Sequence, residues 1–322
     1  MADRPKLLQM GDITDVMAVR LHARFELVEF GDLPDPAAYL AEHGAQFEAV
    51  VTDGHVGVPL DVMAALPNLK IVSSFGVGYD AIDADAAAAR GVVVTHTPDV
   101  LNDEVADTAI MLWLAASRRL VPSDHWARSG AWETEGAFPL TRSVQNRVVG
   151  ILGMGRIGQT IAQRAEAFNA TVLYHTRSPK EVGWEYCADL VDLAQRADVL
   201  VVITPGGAST QHLVSGEVLR ALGPDGIVIN VARGSVVDEA ALVAALSDGS
   251  LGGAGLDVFE AEPRIPDALK SMDNVVLTPH VGSASVETRE AMANLTCDNL
   301  FTYFDEGRVL TPVPECRSVL AG

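Results

Sequence analysis

The feature that most constrains the fold is a glycine-rich segment between two short apolar runs. The run Val148–Leu152 leads into Gly-Met-Gly-Arg-Ile-Gly at 153–158, a helical pattern covers Gln159–Phe168, and a second apolar run covers Thr171–Tyr174. The Gly-x-Gly-x-x-Gly pattern is weak evidence alone, but here it lies between a strand and a helix in a unit of about 30 residues. The segment is therefore predicted to bind the pyrophosphate of a dinucleotide.

Each glycine of this loop has a separate physical task. Gly153 allows a tight turn, Gly155 lets the backbone approach the pyrophosphate, and Gly158 lets the helix pack closely on the strand. The free N–H groups and the positive dipole end of the helix favour phosphate binding. We expect Met154, Arg156 and Ile157, which complete the loop, to contact the cofactor as well.

The residues after the second strand bear on the choice between NAD and NADP. An NAD site usually has Asp or Glu there for the ribose 2′-hydroxyl. This chain has no carboxylate between Tyr174 and Glu181, but it has Arg177, Ser178 and Lys180. A guanidinium suits a 2′-phosphate, so NADP(H) is predicted and NAD is less favoured. The alternative is that Arg177 stacks on adenine and selects neither cofactor.

The rest of the chain alternates short apolar runs with longer helical patterns, which is typical of α/β folds with parallel sheets. The predicted strands are Lys6–Met10, Phe25–Phe30, Ala49–Thr52, Lys70–Ser73, Val92–Thr95, Val199–Ile203, Ile227–Asn230, Gly253–Leu256 and Val275–Leu277. The predicted helices are Pro59–Leu66, Ala81–Arg90, Asp103–Leu120 and Ser285–Phe304, and residues 122–146 are expected to be irregular. We therefore predict two α/β units joined near residue 100.

Composition and charge exclude several classes of partner. The formal net charge is −20, which disfavours binding to nucleic acid or to anionic lipid. The longest apolar stretch, near Ile110–Ala116, is too short for a membrane span of roughly 20 residues. The three cysteines show neither disulfide nor zinc spacing, so no metal is expected, and the compartment is predicted to be reducing and cytoplasmic.

Three polar segments follow predicted strands, where strand ends meet in an open α/β sheet. Arg233 can bind carboxylate and carbonyl oxygens together. His280 can donate a proton, because an imidazole ionises near neutral pH. Glu262 is the candidate carboxylate that stabilises the imidazolium. Each residue alone could have a purely structural role: Arg233 in a surface ion pair, His280 in a turn and Glu262 as a loop carboxylate. Together the three residues suit the reduction of a 2-oxo acid.

The chain resembles the D-2-hydroxyacid dehydrogenase family along nearly its whole length. The segments that carry the resemblance are SFGVGYDAID at 74–83, NDEVADTAI at 102–110, VVGILGMGRIG at 148–158, NVARGSVVD at 230–238, GLDVFEAEP at 255–263 and TPHVGSAS at 278–285. YHTRS at 174–178 and ITPGG at 203–207 are most similar to the NADP-dependent glyoxylate/hydroxypyruvate and hydroxyphenylpyruvate reductases of that family.

The resemblance implies two Rossmann-like domains with a cleft between them. The substrate domain would comprise residues 1–99 and 287–322, and the dinucleotide-binding domain residues 100–286. The resemblance implies the same three catalytic residues, Arg233, Glu262 and His280, and it implies that Arg233 and His280 also contact the substrate. Backbone N–H groups of Val77 and Gly78 would bind the substrate carboxylate. Further cofactor contacts are expected from Thr204, Val231, Ala232, Asp257 and Gly282, with Asp257 on the nicotinamide carboxamide; a loop-capping role is the alternative for Asp257.

The resemblance also implies a homodimer, with the 103–120 helix and the 122–146 loop across the dyad and Trp132 near the partner's site. Asp53, Gly54, His55 and the 122–140 loop are candidates for the substrate pocket. One departure from the family is Ser143–Arg147, where a Gly-Lys pair is common. Other interpretations remain open: a dinucleotide-sensing corepressor on the same fold, or a phosphoglycerate, formate or phosphite dehydrogenase. Phosphoglycerate dehydrogenases are less favoured because a chain ending at Gly322 leaves no room for a regulatory region.

Overall fold

A computed structural model describes residues 4–319 of the 322-residue chain. These residues form two compact units. The terminal unit contains the described residues up to Leu101 together with those from Ser285 onwards, and the central unit contains Asn102–Ala284.

Strands and helices alternate through most of the chain. The strands are β1 (Lys6–Gln9), β2 (Glu26–Glu29), β3 (Phe47–Asp53), β4 (Ile71–Phe75), β5 (Val93–Thr95), β6 (Val148–Leu152), β7 (Thr171–His175), β8 (Glu185–Tyr186), β9 (Val199–Val202), β10 (Ile227–Asn230), β11 (Gly253–Leu256) and β12 (Val275–Leu277). The helices are α1 (Asp15–His22), α2 (Pro36–His43), α3 (Leu60–Ala64), α4 (Ala84–Ala89), α5 (Asn102–Ser117), α6 (Leu120–Arg128), α7 (Ala131–Thr134), α8 (Arg156–Glu166), α9 (Leu190–Arg196), α10 (Gly216–Leu222), α11 (Glu239–Asp248), α12 (Asp267–Lys270) and α13 (Val286–Glu306).

The terminal unit is built on a five-stranded parallel sheet of order β2-β1-β3-β4-β5. Five of the seven residues of the central strand β3 are buried, as expected for a parallel strand covered on both faces. The last helix, α13, returns to this sheet, and Ser73 Oγ donates to the Thr296 carbonyl at 2.9 Å. The C-terminal segment therefore completes the core that the N-terminal segment begins.

The central unit is built on a seven-stranded parallel sheet of order β12-β11-β10-β9-β6-β7-β8. The chain leaves β6 towards β7 and later returns to place β9 on the other side of β6. The order therefore reverses between β6 and β9, and such a switch point opens a crevice at the carboxyl ends of the strands, where open α/β sheets bind ligands.

Side-chain caps define where many helices begin. Asp83 accepts from the Ala86 N–H before α4, and Asp238 accepts from the Ala241 N–H before α11. Ser285 does the same for α13 through the Thr288 N–H. An Asp or Ser side chain here satisfies a backbone donor that the helix itself leaves unpaired.

The structure corrects the prediction that residues 122–146 are irregular. Part of this segment is helical, because α6 and α7 occupy most of its first half. Pro122 lies in the first turn of α6, where proline is tolerated because its missing N–H would be unpaired anyway. Gly130, at φ +80°, then separates α6 from α7 in the left-handed conformation. The predicted helix from Gln159 also begins earlier, at Arg156.

Cys187, Cys297 and Cys316 are buried free thiols. None of the helices within residues 4–319 combines the length and apolarity needed to cross a lipid bilayer.

Candidate active site

The glycine loop lies at the switch point of the central sheet, between β6 and α8. Gly153 has φ +110°, and a Cβ there would lie 2.8 Å from the Ile203 carbonyl oxygen, just beyond the end of β9. A Cβ on Gly158 would lie 2.0 Å from the Gly153 carbonyl oxygen. Only glycine fits at these two positions, because the turn, the helix and the neighbouring strand meet there.

Gly155 differs from the other two glycines because, among residues 4–319, no atom beyond its chain neighbours and its own helix backbone lies within 4 Å of where its Cβ would be. It immediately precedes α8, and its carbonyl accepts from the Gln159 N–H. An open glycine at a helix N-terminus leaves room for a ligand against backbone N–H groups. Met154 is buried beneath the loop, while Arg156 is exposed. This geometry fits the pyrophosphate of a dinucleotide.

The segment after β7 is held in a defined turn. The Tyr174 hydroxyl accepts from the Lys180 N–H at 2.8 Å, and the Tyr186 hydroxyl donates to the Thr176 carbonyl at 3.1 Å. Arg177 and Ser178 lie exposed on this turn. In the part of the chain that the structure describes, the Arg177 guanidinium forms no hydrogen bond or ion pair. It is therefore available to an external anion.

The Arg233 turn follows β10 and is organised by Asn230, which is buried. The Asn230 side chain donates to the Arg233 carbonyl at 2.9 Å and accepts from the Ala232 N–H at 3.0 Å. Val231 and Ala232 are buried, whereas Arg233 is partly exposed. Because a buried amide side chain satisfies both ends of the turn, the backbone that carries the guanidinium is fixed.

Gly234 brings this turn against the segment after β11. A Cβ on Gly234 would lie 1.9 Å from the Phe259 carbonyl carbon. That distance is shorter than any non-bonded contact, so a side chain at 234 would push the two segments apart. The glycine places the Arg233 turn beside the segment that carries Glu262.

Glu262 and His280 form a direct pair at the same edge of the sheet. His280 Nδ1 lies 2.8 Å from Glu262 Oε2, and both side chains are mostly buried. The other carboxylate oxygen, Oε1, accepts from the Phe259 N–H at 3.0 Å. The pairing requires a proton on Nδ1 when Glu262 is ionised, and an imidazole can gain or lose its other proton at Nε2.

Asp257 holds the loop that carries His280. It is 2 % exposed, and its carboxylate accepts from Thr278 Oγ1 at 2.6 Å and from the N–H groups of Val281 and Gly282 at 2.8 Å each. The Asp257 carbonyl also accepts from the His280 N–H at 2.9 Å. His280 adopts φ +53°, a conformation that non-glycine residues hold only where surrounding contacts impose it.

Among the sequence-predicted residues, the structure therefore brings Arg233, Glu262, His280, Asp257 and Gly282 to one edge of the central sheet. Thr204 follows β9 at that edge, close to the glycine loop. Trp132, in α7, is exposed.

The predicted residues of the terminal unit lie in two loops. Val77 and Gly78 lie in the loop after β4, where the Val77 carbonyl contacts His96 Nδ1 at 3.0 Å. Asp53 ends β3 and accepts from the N–H groups of His55 and Val56 at 2.7 and 2.9 Å. Its carboxylate therefore caps the turn that contains Gly54 and His55.

Comparisons with known proteins agree with this geometry. Residues 110–282, more than half of the chain, match the family model described as D-isomer specific 2-hydroxyacid dehydrogenase, NAD binding domain. A glyoxylate/hydroxypyruvate reductase A of Arabidopsis thaliana and a hydroxyphenylpyruvate reductase of Plectranthus scutellarioides are each 46% identical over 308 residues, covering 95% of this chain and 98% of the relative.

This chain belongs to the D-isomer specific 2-hydroxyacid dehydrogenase family. It is therefore an oxidoreductase, and the resemblance found in its motifs is confirmed. A crystal structure described as an NADPH-dependent glyoxylate/hydroxypyruvate reductase from Sinorhizobium meliloti, in complex with NADP and malonate, is 51% identical. It covers 98% of each chain with a TM-score of 0.92. The expected α/β architecture with two parallel-sheet units is confirmed as well.

For this 2-hydroxyacid dehydrogenase, sequence reasoning missed the side chains that support the site. The sequence places Asn230 at the end of a predicted strand and at the start of a motif, but it does not indicate that the Asn230 side chain fixes the Arg233 turn. Thr278 was not singled out, although it donates to Asp257. One available signal was the position of each polar residue at the end of a buried strand, where an unsatisfied side chain would be costly.

Proposed function

We propose that this protein reduces small 2-oxo acids, such as glyoxylate or hydroxypyruvate, to D-2-hydroxy acids with NADPH. The observation that carries the proposal is the 2.8 Å contact between Glu262 and His280, beside the Arg233 turn on the sheet edge where the glycine loop lies. The Sinorhizobium meliloti relative, described as an NADPH-dependent reductase of such substrates, supports it.

The residues of the central unit fit the cofactor. The loop Gly153–Gly158, including Met154, Gly155, Arg156 and Ile157, would hold the pyrophosphate against the start of α8. We propose further contacts from residues that follow β9, β10, β11 and β12: Thr204, Val231, Ala232, Asp257 and Gly282. When bound, NADPH supplies the hydride that reduces the substrate carbonyl carbon.

Arg177 and Ser178 would select NADPH over NADH. The 2′-phosphate is a dianion near neutral pH, and an exposed guanidinium that pairs with no group among residues 4–319 can bind it through paired N–H donors. The hydroxyl of Ser178 offers one more donor. No carboxylate lies between Tyr174 and Glu181 in the sequence to repel the phosphate or to bind a 2′-hydroxyl.

His280 would act as the proton donor. In the imidazolium form, Nδ1–H stays bonded to Glu262 while Nε2–H is transferred to the substrate carbonyl oxygen. This proton on oxygen, together with the cofactor's hydride on carbon, converts the carbonyl of the 2-oxo acid into the hydroxyl of the 2-hydroxy acid. The imidazole is left neutral. Glu262 stabilises the imidazolium before transfer, and Arg233 binds the substrate carboxylate and polarises the carbonyl.

The terminal unit would serve as the substrate domain and the central unit as the dinucleotide-binding domain. Within residues 4–319, the N–H groups of Val77 and Gly78 donate no hydrogen bond, which suits them to a substrate carboxylate. Backbone N–H groups bind the carboxylate of any 2-oxo acid equally well. They would therefore recognise the carboxylate that all these substrates share, and other residues would select among the substrates' side chains.

We further propose that the protein is a homodimer in the cytoplasm. Apolar side chains are exposed on the surface of α5, α6 and the segment that follows: Met111, Leu120, Val121, Trp132 and Leu140. Exposed apolar residues concentrated in one segment are typical of an interface. Three free thiols are compatible with a reducing compartment. Light scattering coupled to size exclusion tests the dimer, and a monomer at micromolar concentration would contradict it.

The proposed reaction is tested by following NADPH and NADH oxidation with glyoxylate, hydroxypyruvate, phenylpyruvate and hydroxyphenylpyruvate. We expect turnover with at least one of these acids and a higher kcat/KM with NADPH. Binding of NADPH without turnover of any acid would contradict the proposal and favour the dinucleotide-sensing role. Strong preference for NADH would refute the assignment of Arg177 and Ser178.

A further inference from the structure

The loop between β4 and Tyr79 is held by two consecutive residues that follow β5. Gly76 has φ +147° and exchanges two hydrogen bonds with Thr97: its N–H donates to Thr97 Oγ1 at 3.2 Å, and its carbonyl accepts from the Thr97 N–H at 2.8 Å. The next carbonyl, that of Val77, contacts His96 Nδ1 at 3.0 Å. A carbonyl oxygen can only accept, so Nδ1 of His96 must carry a proton.

These contacts fix two successive peptide planes. In a trans peptide the carbonyl and the following N–H point in opposite directions within one rigid plane. Holding the Gly76 carbonyl therefore sets the direction of the Val77 N–H, and holding the Val77 carbonyl sets the direction of the Gly78 N–H. Thr97 holds the first plane with its backbone, so almost any residue could do so. The second plane depends on the side chain of His96.

His96 is itself well supported. Its backbone N–H donates to the Thr311 carbonyl at 3.2 Å, and its carbonyl accepts from Thr311 Oγ1 at 2.6 Å. Asn299 of α13 in turn fixes Thr311 through Oδ1 and Nδ2. The ring of Tyr79 meets the imidazole edge to face, with centroids 5.3 Å apart. The imidazole therefore has a fixed position from which to hold the loop.

We propose that His96 is a positioning residue that aims the Gly78 N–H at the substrate carboxylate through its hydrogen bond to the Val77 carbonyl. This inference rests on the proposed function, in which Val77 and Gly78 bind that carboxylate. Nothing in the motifs singles out His96, because its role appears only when β4 and β5 are paired and their following loops lie side by side.

A matched pair of variants separates the hydrogen bond from packing. His96→Asn retains an N–H donor at the end of a short planar side chain, whereas His96→Leu has a similar branched shape without a donor. Both lose the aromatic contact with Tyr79. We expect His96→Leu to raise KM for the 2-oxo acid roughly 10- to 100-fold, the range for a lost hydrogen bond to a charged group. His96→Asn should stay within a few-fold of wild type, and the Kd of NADPH should be unchanged in both.

Ring ¹⁵N chemical shifts provide a test that does not need activity. Selectively ¹⁵N-histidine-labelled protein without substrate should show His96 as the Nδ1–H tautomer, or as imidazolium, with Nδ1 protonated in either form. An Nε2–H tautomer would overturn the proposal, because two acceptors would then face each other. Equal KM values in wild type and both variants would also overturn it while leaving the proposed reaction intact. If wild type reduces none of the acids, the proposed function fails and the tautomer alone decides whether His96 holds the loop.

Discussion

Replacing Asp257 by Asn tests whether this carboxylate holds the loop of His280. The substitution keeps the size of the side chain but removes its charge and turns one acceptor atom into a donor. Asp257 Oδ1 accepts from Val281 N–H and Thr278 Oγ1, and Oδ2 accepts from Gly282 N–H. Whichever way the amide is oriented, its NH₂ group faces the N–H of either Val281 or Gly282.

The cost follows from that geometry. One buried N–H loses its acceptor, which costs about 1–3 kcal/mol, and the remaining bonds lose their charge assistance. Taking about 2 kcal/mol, the loop should open roughly 30-fold more often. We therefore expect the amides of Val281 and Gly282 to exchange with deuterium roughly 30-fold faster in Asp257→Asn. The turnover of 2-oxo acid should fall at least about 10-fold, because His280 adopts its φ of +53° within this loop.

Amide exchange resolved to single residues measures the effect directly and avoids a global unfolding free energy, which is poorly defined for a chain of two units. Asp273→Asn is the matched control, because Asp273 is an exposed carboxylate before β12. Unchanged exchange at 281 and 282 in Asp257→Asn would refute the role given to this carboxylate. Faster exchange with unchanged turnover would refute the link between the loop and catalysis.

Two further substitutions and one thiol-labelling experiment have outcomes that the structure predicts. Gly234→Ala should weaken the packing of the Arg233 turn on the segment after β11 by about 1–3 kcal/mol, because its Cβ would overlap the Phe259 carbonyl; Gly183→Ala, with open space around it, is the control, and equal amide exchange at Phe259 in the two variants would contradict the close approach. Arg177→Ala should raise KM for NADPH roughly 10-fold or more and leave KM for NADH unchanged; equal losses would instead indicate stacking on adenine. Burial raises the pKa of the Cys297 thiol to about 11, which lowers its thiolate fraction near pH 8 about 100-fold relative to its ordinary pKa of 9.0. Cys297 should therefore resist iodoacetamide in the native protein and react after unfolding, and rapid native labelling would contradict its burial.

Much of the central unit could be predicted from the sequence because its signals are local. Gly158 is required by its close contact with Gly153 inside one strand–turn–helix unit, and β10, β11 and β12 begin and end at the residues that the sequence predicts. The sequence does not predict helix α6, because proline breaks a helix in most positions. Pro122 is compatible with α6 only because it lies in the first turn.

The supporting residues of the site could not be predicted, because their roles depend on which strands are neighbours. The family resemblance assigns Asp257 to the cofactor, with loop capping as the alternative, but nothing in the sequence shows that its carboxylate accepts three hydrogen bonds from the loop at 278–282. The nicotinamide contact stays a prediction alongside that role. Similarly, His96 and Val77 are 19 residues apart in the chain and meet only because β4 pairs with β5.

The central claim is that the Glu262–His280 pair donates the proton in the reduction of a 2-oxo acid. The most direct test compares NADPH oxidation by glyoxylate or hydroxypyruvate in wild type and His280→Asn. Asparagine tolerates the left-handed backbone at this position but cannot serve as the acid. We predict that kcat falls about 10²- to 10⁴-fold while the Kd of NADPH is retained, and that His22→Ala, which removes an exposed imidazole, has wild-type turnover. Turnover of His280→Asn at the wild-type rate would contradict the account.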